Sequence, residues 1–335
     1  MTFMIILFLG ISLLLYVLLG GADFGAGILE SFTGQKGTDV ISKAIAPVWE
    51  ANHVWLIIVV VILFMGFPEV YSSLMLTLHI PVMILLIGII VRGASFTFRY
   101  YDIRQEKTHR IYTRFFKVSS IITPFFLGVT LGAVILGRIT LNMELGFYQV
   151  FIYPWLNLFS ASIGFFVVIL FSFLAALFLL GEAKKEDDIK DYQKFSWLLM
   201  GGLMAAGLLV FVTAEIDGFH LFYRFIDSPF SLGSIILATL LIPLLRKYIK
   251  KHNVLRLRLV AGVQTFLILL GWFAIQYPVL VNLQGQTDLT VYNSQAPENT
   301  QFQLMIALII GLLLVIPALL FLFKVFKFGN TEPDY

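Results

Sequence analysis

The chain is a succession of apolar segments, about nine of them, each near the roughly 20 residues that cross a bilayer as a helix. Ionisable side chains are missing from almost all of them. The segments fall at about 2–29, 47–66, 74–98, 119–141, 152–180, 195–214, 230–245, 259–277 and 302–323. The connections between them are short and polar, and none is long enough to form a separate soluble domain. The pattern predicts an all-α polytopic membrane protein, one integral membrane domain over 1–335 with a polar tail at 329–335.

Charge content supports the same class. Only 13% of the residues are charged, against about 25% in soluble domains. A formal net charge of +3 argues against nucleic-acid binding, which needs a basic face. The chain has no cysteine, which excludes disulfides, thiolate metal sites, iron–sulfur clusters and thiol chemistry. The first segment carries no basic residue ahead of it and is too long for a signal-peptide core, so it reads as a retained helix.

Orientation follows from where lysine and arginine lie. Twenty of the 23 basic residues fall in the connections after the first, third, fifth and seventh segments and in the region after the ninth. Arg92 lies inside the third span, and Arg138 and Arg224 fall on the opposite side. That alternation places the N-terminus outside and the C-terminus in the cytoplasm of a bacterial or archaeal cell membrane. The outer connections are acidic, with Glu69, Glu144, Glu215, Asp217, Asp227, Asp288 and Glu298. The longest of them, 278–300, reads as an ordered cap or a partner contact. Tyrosines and tryptophans near the inferred interfaces, such as Tyr153, Trp155 and Trp197, read as anchors at headgroup depth.

Two acids remain where acids are costly. Asp23 sits in Gly21-Ala22-Asp23-Phe24-Gly25-Ala26-Gly27, and Glu50 sits in Pro47-Val48-Trp49-Glu50-Ala51-Asn52-His53-Val54-Trp55. A carboxylate in a membrane segment usually marks a proton or ion path. The first span runs inward and the second outward, so both acids lie toward the cytoplasm at similar depth. His53 lies three residues past Glu50 on the same helical face. Glu50 and His53 therefore read as a short ladder of protonatable groups leading inward. A plainer reading stands beside this one. Pro47 favours a helix start, which makes Glu50 a solvated first-turn acid. Asp23 then pairs with Lys36 or Lys43, and His53 is a buried hydrogen-bonding residue. Arg92 either snorkels to the headgroups or pairs with Asp23 or Glu50.

Other constellations carry less. His79 with His53 invites a haem reading, but the derived topology puts them at opposite depths, and one iron needs both ligands facing it. His109, His220 and His252 fall in loops or at span ends and read as solvated. Small residues four apart recur at Gly21/Gly25, Gly128/Gly132, Gly201/Ala205 and Gly202/Ala206, a spacing that permits close helix packing in lipid. No phosphate loop, nucleophile elbow, zinc motif or calcium loop is present.

The two acid motifs, together with Arg92-Gly93-Ala94-Ser95-Phe96-Thr97-Phe98-Arg99 and the series Gly128, Gly132, Gly137, resemble subunit II of the cytochrome bd-type quinol oxidases over nearly the whole chain. Three positions depart from the family pattern. Glu50 stands where aspartate is usual, Ala51 where glycine is usual, and Thr97 where glutamate is usual. The resemblance implies two four-helix bundles plus one peripheral helix. It also implies a haem-bearing subunit I as partner, with b-type and d-type haems there and none in this chain. A small single-helix subunit often accompanies the pair. Some members hold a structural quinone in subunit II; the residues here neither assign nor exclude a quinone or lipid.

The expectation is thus a haem-free, non-redox subunit of a quinol:oxygen oxidoreductase. It braces the haem subunit and offers a cytoplasmic proton inlet through Glu50, Asp23 and His53, with Arg92 as a charge partner. Two rivals remain: a proton-coupled secondary transporter and a purely structural subunit.

Overall fold

The computed structural model describes residues 1–45, 49–101 and 107–327. Pro47, the tail 329–335 and the side chains of Lys36 and Lys43 lie outside what it describes. Among the described residues, eight helices are long and apolar enough to cross a membrane, and nine when one bent pair is counted as a span. The chain is an all-α polytopic membrane protein.

The first span is not one regular helix. Helix α1 (Thr2–Leu15) passes into a π-helical turn over Tyr16–Gly20 and then into α2 (Gly21–Ile45). The second span starts with the single turn α3 (Trp49–Asn52), continues as α4 (Val54–Gly66), then bends by 113° into α5 (Pro68–Thr77). The bend has a local cause. Phe67 leaves helical geometry at φ −138°, ψ 66°, and Pro68, with no N–H to donate, starts the next helix where that donor is not needed. Leu78 breaks the chain again, so α6 (His79–Tyr101) begins five residues later than the apolar run that starts at 74.

Helix α7 (Lys107–Leu136) ends at Gly137, whose φ of +79° suits a residue without a Cβ. A short α8 (Phe147–Phe151) follows. Helix α9 (Leu158–Glu182) starts at Asn157, whose side chain accepts from the Ser160 N–H at 2.8 Å. That cap explains why the fifth span begins six residues past 152. Next come α10 (Glu186–Ile216), α11 (Leu221–Asp227), α12 (Pro229–Leu240), α13 (Ile242–Lys251) and α14 (Val254–Gln276). A two-stranded antiparallel ribbon, β1 (Val279–Val281) with β2 (Leu289–Thr290), precedes α15 (Glu298–Lys327).

Helix α9 is the axis of the fold. Its apolar residues run all round, which suits a largely enclosed helix. Within its membrane window 72% is buried, against 11% for α15. It packs against α2, α7 and α10. Glycine sets those approaches. A Cβ at Gly128 would stand 2.6 Å from the Ile163 carbonyl oxygen, and one at Gly132 would stand 2.7 Å from the Ser160 Cα. A Cβ at Gly25 would fall inside the Phe171 carbonyl. Gly201, by contrast, faces open space in this chain.

The 278–300 segment folds over the helix ends. The Asn282 amide donates to the Ile135 carbonyl at 2.6 Å, the Gln284 N–H to the Ile139 carbonyl at 2.7 Å, and the Ala296 N–H to the Gly66 carbonyl at 2.9 Å. Nearby, Asp217 clamps three elements. It accepts from Arg138 at 2.9 Å through one oxygen and from the Phe159 N–H at 2.8 Å through the other.

Candidate functional site

Close packing of α2 on α9 fixes which way the polar face of α2 turns. Gly21 and Gly25 press against the ring and backbone of Phe171. Gly27 meets Ser120 and Phe116 of α7. Asp23 and Glu30 are thereby carried into the space between α2, α6 and α7, where both are buried.

Each acid finds an arginine of α6. The Arg92 Nη1 lies 2.8 Å from one Asp23 carboxylate oxygen, and its Nη2 donates to the other at 2.8 Å and to the Asp23 carbonyl at 3.0 Å. The Arg92 Nε donates to the Ser120 hydroxyl at 3.2 Å. Seven residues further along both helices, Arg99 Nη1 donates to both Glu30 oxygens, at 2.7 and 2.9 Å. Lys117, half-exposed, adds a longer contact to Glu30 at 3.9 Å. The ring of Phe116 sits between the two guanidiniums, with its centroid 5.0 Å from the Arg92 carbon and 4.5 Å from that of Arg99. Phe24 covers Arg92 from another side at 4.7 Å.

The result is a ladder of two arginine–carboxylate pairs about 10.5 Å apart along parallel helices, the first closed through two nitrogens and the second through Arg99 Nη1. A fork-shaped guanidinium matches a carboxylate in a way an ammonium cannot. Once buried, such a pair is hard to dissect. Removing one partner leaves a bare charge at a cost of about 3–5 kcal/mol.

His53 stands at the junction of α3 and α4. Its ring meets Phe24 edge-on at 5.7 Å and lies 6.5 Å from Tyr16. Its Nδ1 is buried and has no hydrogen-bond partner among the described residues, and the same holds for the Tyr16 hydroxyl. Glu50 lies one turn away. Its backbone carbonyl accepts the His53 N–H at 3.2 Å, and its side chain is exposed on the surface of this chain.

Of the residues singled out in the sequence, Asp23, Arg92 and His53 thus gather around Phe24, while Glu50 stays at the edge. Of the two placements open to Arg92, the structure has the pair with Asp23. His79 stands apart from His53: its Nδ1 bonds the Leu76 carbonyl at 2.9 Å and its ring meets Phe151. His252 is not simply solvated. It ends α13 in the left-handed conformation at φ 50°, and its Nε2 donates to the Leu180 carbonyl at 2.8 Å. His220 pairs with Glu215 at 3.0 Å.

Sequence reasoning missed the Glu30–Arg99 rung. Glu30 lies one residue past the predicted end of the first span, and Arg99 was assigned to the cytoplasmic connection. A signal was available: Asp23 to Glu30 and Arg92 to Arg99 share a spacing of seven, on two spans that run in the same direction.

Comparison with known proteins completes the description. A family model described as "Cytochrome bd terminal oxidase subunit II" matches residues 1–326. The cytochrome bd ubiquinol oxidase subunit 2 of Bacillus subtilis (strain 168) is 33% identical over 116 residues, covering 34% of this chain and 34% of that protein. The cytochrome bd-I ubiquinol oxidase subunit 2 of Escherichia coli (strain K12) is 27% identical over 133 residues, 39% of this chain and 35% of that protein. The matched stretch therefore spans about a third of the length of these curated relatives. A chain in the structure of bd oxidase from Geobacillus thermodenitrificans shares the fold, with a TM-score of 0.76 at 20% identity, covering 98% of this chain and 99% of that one.

Proposed function

This chain belongs to the cytochrome bd terminal oxidase subunit II family, and from that premise we propose that it is the haem-free membrane subunit of a quinol:oxygen oxidoreductase. On this reading the haem-bearing subunit I carries out electron transfer and oxygen reduction. The N-terminus faces outward and the C-terminus faces the cytoplasm, as the basic connections predict. The chain braces its partner and admits protons from the cytoplasmic side.

The observation that carries the inlet is the gathering of His53 with the Asp23–Arg92 pair around Phe24, one helical turn from an exposed Glu50. Glu50 is the intake acid, reachable from outside this chain. His53 is the relay, with one buried ring nitrogen unbonded among the described residues. Asp23 acts through its charge. Both of its oxygens meet Arg92, so it serves as a fixed anion rather than as a carrier that must release its partner at each turnover. Protons drawn from the cytoplasm and electrons delivered from quinol at the outer side meet in the partner, and this separates charge without a pump. Moving one charge across 100 mV is worth about 2.3 kcal/mol.

The purely structural reading is favoured by one observation, the closure of both arginine–carboxylate pairs. Oxygen-reduction rates of complexes carrying Glu50→Gln or Asp23→Asn, at full haem content, decide between the two. Slowed turnover in Glu50→Gln supports the inlet. Wild-type turnover in both variants leaves only the bracing role.

A further inference from the structure

We infer that Tyr16 and His53 hold a small cluster of ordered water molecules beside Asp23, and that this wet site is the connection between His53 and the Asp23–Arg92 pair. The inference rests on the inlet reading above and extends it with a residue, Tyr16, that neither the acid motifs nor the charge pattern indicates.

The first support is an unpartnered polar group in the core. Tyr16 is 1% exposed, yet its hydroxyl bonds to no described residue. Buried hydroxyls are normally satisfied, and an orphan one calls for an explanation. The Nδ1 of His53 is in the same condition, and the two rings are neighbours at 6.5 Å. Asp23 adds a third polar atom. The carboxylate oxygen that faces Arg92 Nη1 makes no hydrogen bond beyond that ion pair among the described residues. A buried water needs two to four polar partners, and this corner supplies a hydroxyl, a ring nitrogen and a carboxylate oxygen.

The second support is the backbone. Tyr16 opens the π-helical turn, a form that appears mostly as single-turn insertions and often at functional sites. Gly20 ends it, and a Cβ there would stand 3.0 Å from two carbons of the Tyr16 ring. The ring therefore lies close against the backbone at Gly20, where a side chain would press on it. The turn and the glycine together hold Tyr16 inward, facing the α3–α4 junction.

The third support is proximity. The Phe24 ring meets that of His53 at 5.7 Å and covers the Arg92 guanidinium at 4.7 Å, so the corner adjoins the ion pair. In such a place the phenol is well suited to ordering water. It donates one hydrogen bond and accepts another without changing charge. A proton leaving His53 then moves along the waters past the fixed charge of Asp23 by exchange of O–H bonds, one breaking as the next forms, and passes on toward the partner subunit, with Tyr16 and Asp23 left as they started.

The test uses the purified complex with its partner subunits. A cryo-EM map that resolves ordered water should show density within hydrogen-bond distance of Tyr16 Oη and His53 Nδ1, and that density should thin or vanish in Tyr16→Phe, which keeps the ring and the packing. A dry corner in the wild-type map overturns the inference whatever the kinetics show. In parallel, proton uptake during oxygen reduction should slow severalfold in Tyr16→Phe and in His53→Leu, with haem content and quinol KM unchanged. Slowed uptake in Glu50→Gln and His53→Leu with wild-type uptake in Tyr16→Phe would keep the inlet and remove this link. Wild-type uptake in all of these variants would remove both.

Discussion

Arg92 grips Asp23 with two nitrogens at 2.8 Å, and both side chains are almost wholly withdrawn from solvent. The pair joins α2 to α6 at the same level at which Ser120 ties Arg92 to α7. Three helices from separated parts of the chain are thus registered by one guanidinium.

Breaking that pair from one side should be worse than removing it. Asp23→Leu alone leaves a buried cation and should lower stability by about 3–5 kcal/mol, whereas the double change Asp23→Leu with Arg92→Met should recover much of the loss. Thermal unfolding of the detergent-solubilised complex, run as a double-mutant cycle, measures the coupling. Additive losses would show that the two residues act independently.

The second rung should tolerate loss of its lysine far better than loss of its arginine. Lys117 meets Glu30 at 3.9 Å and is partly exposed, while Arg99 meets it at 2.7 Å and is buried. Lys117→Met should cost no more than about 1 kcal/mol, and Arg99→Met should cost several times that. The yield and melting temperature of the assembled complex report the order.

Helix approach should be governed by glycine at some positions and indifferent to it at others. Gly25→Ala puts a methyl group into the Phe171 carbonyl, an overpacking that costs about 1–3 kcal/mol or more when backbone must move. Gly201→Ala meets nothing within 4 Å in this chain. The first should reduce the amount of folded complex in membranes, and the second should leave it unchanged unless a partner covers that face.

The Asp217 clamp offers a milder test. Asp217→Ala removes the acceptor for Arg138 and for the Phe159 N–H in the first turn of α9. Loss of hydrogen bonds to a charged group should cost about 1.5–3 kcal/mol. Faster protease cleavage of the connections on that side, with oxygen reduction at the intact complex unchanged, is the expected result.

Much of the fold was legible in the sequence because a bilayer leaves long apolar segments few alternatives. The segments at 119–141 and 259–277 correspond to α7 and α14 with shifted ends, and the Asp23 motif points to the region where charge is buried. What the residues concealed is local and geometric. The π-turn at Tyr16–Gly20 leaves the hydropathy of the first span unbroken, so composition gives no sign of it. The 113° bend at Phe67 was marked only by Pro68, since α5 is as compatible with a helix as its neighbours.

From the residues alone follow the many membrane crossings, the alternation of the spans and the presence of an acid within an apolar segment, because those features depend on transfer energies summed along the chain. That Asp23 meets Arg92, Glu30 meets Arg99 and Tyr16 turns toward His53 follows from packing. Such pairings join residues up to 69 positions apart, and the choice among neighbours rests on how closely glycine-lined helices can approach, a quantity that periodicity and charge do not contain.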